Sequence, residues 1–356
     1  MKGIKFIVLP ALALSLAFVA LPLRAQFVYI ANQGSDNISG YSINPTTGAL
    51  TALSGSPFPN GVEPTSLAVH PTGKFLYATN GNVNSVSGYS INRTTGVLTA
   101  IAGSPFPTGV GPQSVAVDPL GRYTYVTNAA DNTVSGYRIN ATTGALTPVQ
   151  GSPFPTGNLP RHVAVDPKAE FVYVLNQSDN TVSAYRIKSG ALTPVKGSPF
   201  ATGQDPVAQA MYPSGKFTYV TNNADNTISG YSINQTTGAL KVVSGSPFSG
   251  TRGLSGPVVD PNGKFFYVAH SISNTVSGYS IDRLTGALTA LTSSPSATGT
   301  DPCAVAIDPS AQFAYVLNLL DNTVSAYSID AAGALSPVPG SPFSTGTNPF
   351  AIAIAK

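Results

Sequence analysis

Cysteine, tryptophan and charged residues are scarce in this 356-residue sequence. The single cysteine, Cys303, cannot form an internal disulfide, so packing must stabilise the fold. Only 9% of the residues are charged, whereas 35 are glycine and 30 are proline, which disfavours long amphipathic helices and favours frequent turns. The sequence lacks G-x-S-x-G, H-E-x-x-H and P-loop motifs, and Gly109-Val110-Gly111 lacks the third glycine of a dinucleotide fingerprint. We therefore expect an all-β protein with no cofactor and no metal site.

The first 25 residues differ from the rest of the sequence. Lys2 and Lys5 precede an apolar run from Phe6 to Leu23, and Arg24-Ala25-Gln26 offers a cleavage point. This pattern predicts a signal peptide at 1–25 and a secreted or periplasmic protein at 26–356, with no stable membrane span after cleavage. The alternative is an uncleaved membrane anchor, although Pro10 and Pro22 interrupt the run.

The charge of the mature chain excludes one class of partner. Cleavage would remove three of the 18 basic residues and none of the 15 acidic ones, which leaves 15 of each sign. No basic stripe for a phosphate backbone remains, so nucleic acid is not expected as a partner.

An internal repeat dominates residues 26–356. An aromatic segment recurs seven times at spacings of 48, 48, 48, 46, 48 and 48 residues, and it reads FVYIAN, FLYATN, YTYVTN, FVYVLN, FTYVTN, FFYVAH and FAYVLN. The short spacing arises where the usual N-x-T-T-G turn shrinks to Lys188-Ser189-Gly190 in the fourth copy. Seven copies of this length predict a single seven-bladed β-propeller domain.

Each copy is predicted to form four antiparallel strands, A to D. Strand A is short and apolar, B is the aromatic segment, C alternates as in Thr133–Ile139, and D runs from Ala145 towards Phe154 at the outer edge. The mature chain starts at a B strand and ends with an A strand beginning at Pro349. The C-terminal strand is therefore expected to complete the first blade and close the ring.

Residues that break the repeat are the candidates for function, because the scaffold does not require them. The second and third positions of strand A read Thr65-Ser66, Gln113-Ser114, Arg161-His162, Val207-Ala208, Ser255-Gly256, Cys303-Ala304 and Phe350-Ala351. Only the fourth copy of the repeat, with Arg161-His162, has two ionisable groups there. Arg161 could hold a carboxylate or phosphate and His162 could transfer a proton, so both are candidate catalytic residues. Alternatively, they line a solvated channel.

The D-to-A and B-to-C loops are expected on one face of the propeller, which we call the top. Two further departures from the repeat lie on this face. His270 takes the place of the asparagine that ends the other B strands, either as a substrate-binding residue or as a side-chain cap on a loop. Arg252 is also a candidate substrate-binding residue, since it could add positive charge at the channel mouth, as Glu63, Asp205 and Asp301 could add negative charge, although solvated loop charges are common.

Other chemically capable residues have simpler structural explanations. Cys303 fits a small buried filler, and His70 occupies a turn position held elsewhere by Asp118 and Asp166. The repeated Asp-Asn-Thr loops have too few carboxylates for a calcium site and suit Asx-turns.

The strings YVTN at Tyr125 and Tyr219, SGYSINxTTGAL and GSPFxTG resemble the seven-bladed lactonase family of 6-phosphogluconolactonases and carboxymuconate lactonizing enzymes, with YVTN-type repeats. Pro160-Arg161-His162 matches a family string, and the resemblance implies that Arg161 anchors the anionic group of the substrate. The family has Glu after the asparagine that ends the next B strand, where this chain has Gln177, which the resemblance places at the substrate.

Two functions follow. The first is a lactonase-like hydrolase for an anionic sugar or carboxylic-acid lactone, with Arg161 orienting the anion and His162 acting as general acid or base. The second is a non-catalytic secreted propeller that binds a ligand or a cell-surface partner.

Overall fold

The computed structural model describes residues 26–355, so the predicted signal peptide lies outside the described residues. These residues form seven antiparallel sheets, and the innermost strands of neighbouring sheets contact one another in a closed ring. The predicted seven-bladed β-propeller is confirmed. No helix within 26–355 is long and apolar enough to cross a membrane.

The inner A strands line the axis of the ring, and the B strands lie behind them. The A strands are β5 (Pro64–Val69), β10 (Pro112–Val117), β15 (Pro160–Val165), β20 (Pro206–Met211), β25 (Leu254–Val259), β30 (Pro302–Ile307) and β35 (Pro349–Ala355). The B strands are β1 (Phe27–Asn32), β6 (Phe75–Asn80), β11 (Tyr123–Asn128), β16 (Phe171–Asn176), β21 (Phe217–Asn222), β26 (Phe265–His270) and β31 (Phe313–Asn318).

The C strands follow, and the predicted D strand is divided into two short segments that both pair with strand C. The C strands are β2 (Asn37–Ile43), β7 (Ser85–Ile91), β12 (Thr133–Ile139), β17 (Thr181–Lys188), β22 (Thr227–Ile233), β27 (Thr275–Ile281) and β32 (Thr323–Ile329). The first D segments are β3 (Leu50–Ala52), β8 (Leu98–Ala100), β13 (Leu146–Pro148), β18 (Ala191–Pro194), β23 (Leu240–Val242), β28 (Leu288–Ala290) and β33 (Leu335–Pro337). The second are β4 (Phe58–Pro59), β9 (Phe106–Pro107), β14 (Phe154–Pro155), β19 (Phe200–Ala201), β24 (Phe248–Ser249), β29 (Ser296–Ala297) and β34 (Phe343–Ser344).

Ring closure follows the predicted route. The C-terminal strand β35 pairs antiparallel with β1, with Val28 opposite Ile354 and Ile30 opposite Ile352. The first blade therefore contains β35 and β1–β4, whereas each of the other six is built from one continuous stretch of chain. Strand β1 is therefore hydrogen-bonded on both sides, to β2 and to β35, and is not left as an open edge at the seam.

The core lies between blades. Residues of the B strands are buried almost throughout because each B strand has a neighbouring sheet on both faces, which explains its continuous apolar pattern. A representative cluster joins Tyr125 and Val134 of the third blade to Val172 and Val174 of the fourth.

Two rings of tyrosine hydroxyls tie each blade to its neighbours. The B-strand tyrosines donate to the carbonyl of a glycine in the C-to-D turn of the next blade: Tyr29 to Gly96, Tyr77 to Gly144, Tyr125 to Gly190, Tyr173 to Gly238, Tyr219 to Gly286, Tyr267 to Gly333 and Tyr315 to Gly48. The C-strand tyrosines donate to strand D of the preceding blade, as Tyr185 does to the carbonyl of Pro155 at 2.6 Å. Every acceptor is a backbone carbonyl except for one additional contact, from Tyr89 to Asn60.

The asparagine that ends most B strands holds the loops of the top face together. Asn128 donates through Nδ2 to Thr133 and Ser135, while its Oδ1 accepts from the Gly109 amide of the D-to-A loop. The residue that follows each such position donates its amide to the D-to-A loop, as Gln177 does to Leu159. The B-to-C and D-to-A loops thus meet at the top, as predicted.

Candidate functional site

The seven A strands enclose a cavity of about 250 Å³ on the propeller axis. Its lining comes mainly from the second and third positions of those strands and includes Arg161 and His162 of β15. This volume is slightly below the range of roughly 300–1,000 Å³ that is typical of ligand pockets, so the cavity suits only a small molecule. The structure therefore brings the two candidate catalytic residues together in one cavity.

Arg161 lies between this cavity and a second one above it. The upper cavity, of about 320 Å³, includes Gln33, Glu63 and Asn82 from the top loops, and Arg161 and Gln113 line both cavities. Within 26–355 Arg161 forms no ion pair, and its Nη1 lies 3.4 Å from the Gln113 Oε1. Burial lowers the pKa of Arg161 from its ordinary value, and the negative charge of Asp205 opposes that shift. A guanidinium remains charged under such conditions, so Arg161 is available to an anion.

His162 follows Arg161 on the cavity wall. Burial lowers its pKa to about 4, and the positive charge of Arg161 acts in the same direction. The imidazole is therefore neutral near pH 7, the form that can accept a proton. Its Nδ1 is buried without a hydrogen-bond partner among the described residues, which is uncommon for a polar atom in a folded protein.

Gln177 does not line either cavity. Its Nε2 donates to Asp205 Oδ1 at 2.5 Å, and the corresponding pair Gln33 and Glu63 repeats this contact at 3.0 Å between the first and second blades. Each contact joins the residue after one B strand to the loop that precedes the next blade, so its role at both positions is to link neighbouring blades. Gln177 reaches the site only through Asp205, whose charge acts on Arg161.

His270 lies away from the axial cavity. It is fully buried at the end of β26, and its Nε2 bonds to the Ser277 hydroxyl at 2.7 Å. The asparagines at this position bond to the equivalent serine, as Asn128 does to Ser135. Burial lowers the pKa of His270 to about 4, so it is neutral near pH 7. These contacts match the alternative of a loop cap.

Arg252 is exposed in the D-to-A loop of the sixth blade and lines neither axial cavity. Glu63 lines the upper cavity, while Asp205 and Asp301 occupy equivalent positions before their A strands. All three acidic residues have positive φ. The charge at the channel mouth is therefore mixed rather than uniformly positive.

Cys303 faces the axial cavity, but its environment does not favour a thiolate. Burial raises the pKa of the thiol strongly, with Asp301 adding to the shift, and its Sγ lies 3.2 Å from the Pro349 carbonyl. A protonated thiol is a poor nucleophile.

The carboxylates of the B-to-C loops accept backbone hydrogen bonds. The Asp131 Oδ2 accepts from the Val110 amide at 2.7 Å, and Asp179, Asp225 and Asp321 accept equivalent bonds. Within 26–355, no three or more His, Cys, Asp or Glu side chains are grouped so that they could hold a metal ion.

Sequence reasoning overlooked Gln209 in β20. It occupies the strand position of Val115 and Val163 but is polar and buried, and its Nε2 donates to the Tyr173 carbonyl at 2.8 Å. Its Oε1 has no partner among the described residues. A polar residue where other copies are apolar could have been found by the same comparison that identified Arg161.

The functional groups that line the axial cavity include the charged guanidinium of Arg161, the neutral imidazole of His162 and the hydroxyl groups of Ser66 and Ser114. The serine oxygens accept the amides of Val115 and Val163, which leaves their protons for other acceptors. Such a cavity can bind an anion and accept a proton beside it.

Comparison with known proteins points to one family. The profile described as Lactonase, 7-bladed beta-propeller matches this chain at residues 55–158, 102–208, 151–300 and 192–349. Among proteins of curated function, none matches the sequence significantly.

Solved structures share the fold at low sequence identity. A Bacteroides fragilis protein provisionally named a 6-phosphogluconolactonase aligns with a TM-score of 0.80 and 18% identity, over 94% of this chain and 98% of that one. The periplasmic gluconolactonase of Pseudomonas aeruginosa aligns with a TM-score of 0.78 and 18% identity, over 93% of this chain and 99% of that one. At these identities the likeness concerns the fold.

Proposed function

This chain belongs to the family of seven-bladed β-propeller lactonases, and from that premise we propose that it hydrolyses a small anionic lactone in its axial cavity. The observation that carries the proposal is the placement of Arg161 and His162 side by side in that cavity, where within 26–355 Arg161 forms no ion pair and the His162 Nδ1 has no hydrogen-bond partner. A gluconolactone or a related sugar or carboxylic-acid lactone is the proposed substrate class.

The proposed reaction uses the two residues in different roles. Arg161 binds the carboxylate or phosphate of the substrate and orients the ring ester. Neutral His162 accepts a proton from water as the water oxygen bonds to the lactone carbonyl carbon. The ring C–O bond then breaks, and the imidazolium returns its proton to the leaving alkoxide, which gives the open hydroxy acid. Gln177 cannot act as a base, so His162 has that role here.

The site of action follows from residues 1–25. We propose that they direct export to the periplasm or the exterior, where a lactone substrate would be met. The solved periplasmic gluconolactonase of similar fold is consistent with such a location.

The test is hydrolysis of a lactone panel by the mature protein. The panel includes glucono-1,5-lactone and 6-phosphogluconolactone, and the variants are Arg161→Ala, His162→Ala and the exposed loop control Arg252→Ala. We expect kcat/KM to fall by ~10²-fold or more for His162→Ala, and KM to rise for Arg161→Ala, with little change for the control. The pH profile should stay flat from neutrality and fall only as pH approaches about 4, where His162 becomes protonated.

Two outcomes would contradict the proposal. Turnover that survives both substitutions would remove these residues from the reaction. No turnover by the unaltered protein, together with saturable lactone or sugar-acid binding lost in Arg161→Ala, would favour the binding-module function.

A further inference from the structure

A second cavity lies on the bottom face, opposite the loops that surround the axial site. Its volume is about 580 Å³, and it lies between the second and third blades. The A-to-B turns of both blades and the C-to-D turn of the third blade form its walls, including Lys74, Arg122 and Arg138.

The cavity is strongly cationic for a protein with so few charges. Three basic side chains line it, no carboxylate does, and within 26–355 neither Lys74 nor Arg138 forms an ion pair. Asp118 is fully buried and does not line the cavity, and within 26–355 its one ion pair is with Arg122, from Oδ2 to Nε at 3.1 Å. That contact and the position of the Arg122 Cζ, 5.5 Å from the Tyr123 ring centroid, hold the guanidinium in place, and its two terminal nitrogens have no partner among the described residues.

The cationic cavity results from departures from the repeat at several positions. Arg138 replaces the serine found at 42, 90, 232, 280 and 328. His70 replaces the aspartate found at 118, 166, 260 and 308, which removes a carboxylate from the same place. Both changes make this region more positive than its equivalents elsewhere in the ring.

The space itself is associated with the short side chain of Ala141, at a turn position whose residue varies among the blades. In the fifth and sixth blades the position of Ala141 is held by Gln235 and Arg283, which donate to the A-to-B turn carbonyls of Gly215 and Asn262 and close the gap. Alanine is too short to do so. The equivalent turn carbonyl of the third blade, Gly121, lies 3.0 Å from the His70 Nε2 instead.

Lysine at the position of Lys74 can reach this space. In the sixth blade the corresponding Lys264 donates to the carbonyl of Ala331, the residue of the seventh blade equivalent to Ala141. Lys74 therefore approaches the cavity from the second blade while Arg122 and Arg138 approach from the third.

We propose that this bottom cavity is a binding site for a dianionic phosphate group, distinct from the axial site. Three basic side chains that line one cavity without a lining carboxylate match the charge of the group, and the volume leaves room for the organic part of a phosphate ester.

The neighbouring blade provides a matched control. Arg186 is the fourth-blade equivalent of Arg138, but its guanidinium lies 4.6 Å from the Phe171 ring centroid and donates to the carbonyl of Thr236. Replacing either arginine by serine removes one positive charge and restores the common repeat residue. Of these two arginines, Arg138 lines the cavity and Arg186 does not.

The experiment is calorimetric titration of the full mature protein with inorganic phosphate and, separately, glycerol 3-phosphate. All proteins carry Arg161→Ala so that the axial cavity does not contribute. We expect saturable binding that weakens at least tenfold in Arg138→Ser and in Ala141→Gln, which fills the space without changing the charge. Arg186→Ser should bind within about twofold of the parent, because its guanidinium lies outside the cavity.

The outcomes separate the alternatives. Tighter binding of the ester identifies a small phosphate ester as the natural source, and tighter binding of inorganic phosphate identifies the free ion. Equal weakening by Arg138→Ser and Arg186→Ser would reduce the effect to overall charge and overturn the proposal. Binding unaffected by Ala141→Gln, or no saturable binding at all, would also overturn it.

Discussion

The B-strand tyrosines donate their hydroxyl protons to the next blade. Removing one of these hydroxyls should lower the free energy of unfolding by an amount that reflects how strongly the contact joins the blades. Tyr173 is fully buried, and its hydroxyl donates to the Gly238 carbonyl of the next blade at 2.9 Å. Tyr173→Phe keeps the ring and its packing but leaves that carbonyl without its partner. Loss of one partner from a buried pair costs ~1–3 kcal/mol, more than the net value of the bond itself.

That cost converts into a modest shift in melting temperature. At ~2.1 cal/mol/K per residue, the unfolding entropy of a cooperative unit spanning residues 26–355 is roughly 0.7 kcal/mol/K. A loss of ~2 kcal/mol therefore lowers Tm by roughly 3 °C. Denaturant unfolding, in which the midpoint should fall while the slope stays constant, is the clearer assay.

Tyr123→Phe is the matched control. Tyr123 is half-buried, and its hydroxyl makes no hydrogen bond within 26–355. This variant should unfold at the same denaturant concentration as the parent. If Tyr173→Phe and Tyr123→Phe proved equally stable, the inference that the hydroxyls join the blades would be refuted.

Three further predictions follow from the same structure. Deleting 349–356 should abolish cooperative unfolding, because β35 supplies the inner strand of the first blade, and an unchanged melting temperature would contradict closure by this strand. The free energy of unfolding should decline as pH rises above about 10. Burial raises the pKa of the B-strand tyrosines above the ordinary 10.0, so the unfolded chain releases protons that the folded chain retains. Phenolate absorbance that appears well before unfolding would count against this. Gly256→Ala should destabilise the protein by ~1–3 kcal/mol more than Gly111→Ala, since both glycines have positive φ but only at Gly256 would a Cβ lie 2.4 Å from the Ala304 Cα; equal thermal stability of the two variants would argue against this contact.

The fold was predictable because the repeat fixes register. The spacing of the aromatic segments assigned every A, B and C strand, and the unpaired A strand at Pro349 indicated how the ring closes. The division of strand D was not predicted. Its two segments pair with different residues of strand C, and Gly-Ser-Pro lies between them.

The candidate site was only partly predictable, for a related reason. Arg161 and His162 lie on a strand whose place in the ring follows from the repeat, so their meeting at the axis could be foreseen. The hydrogen-bond partners of Gln177 and His270, which are Asp205 and Ser277, could not be predicted because they depend on side-chain geometry. The substrate-binding role of both residues stays a prediction. A linear pattern assigns a residue to a loop or strand end but not the atom to which its side chain bonds.

Closure by β35 has a consequence for the order in which the protein can be completed. Six blades consist of contiguous sequence, so each can form its sheet once its own stretch of chain has emerged. The first blade begins with β1 at Phe27, yet its inner strand, β35, follows every other strand of the ring in the sequence. Strands β1–β4 must therefore remain without their inner neighbour until β35 has been synthesised. The ring becomes continuous only when β35 returns to them.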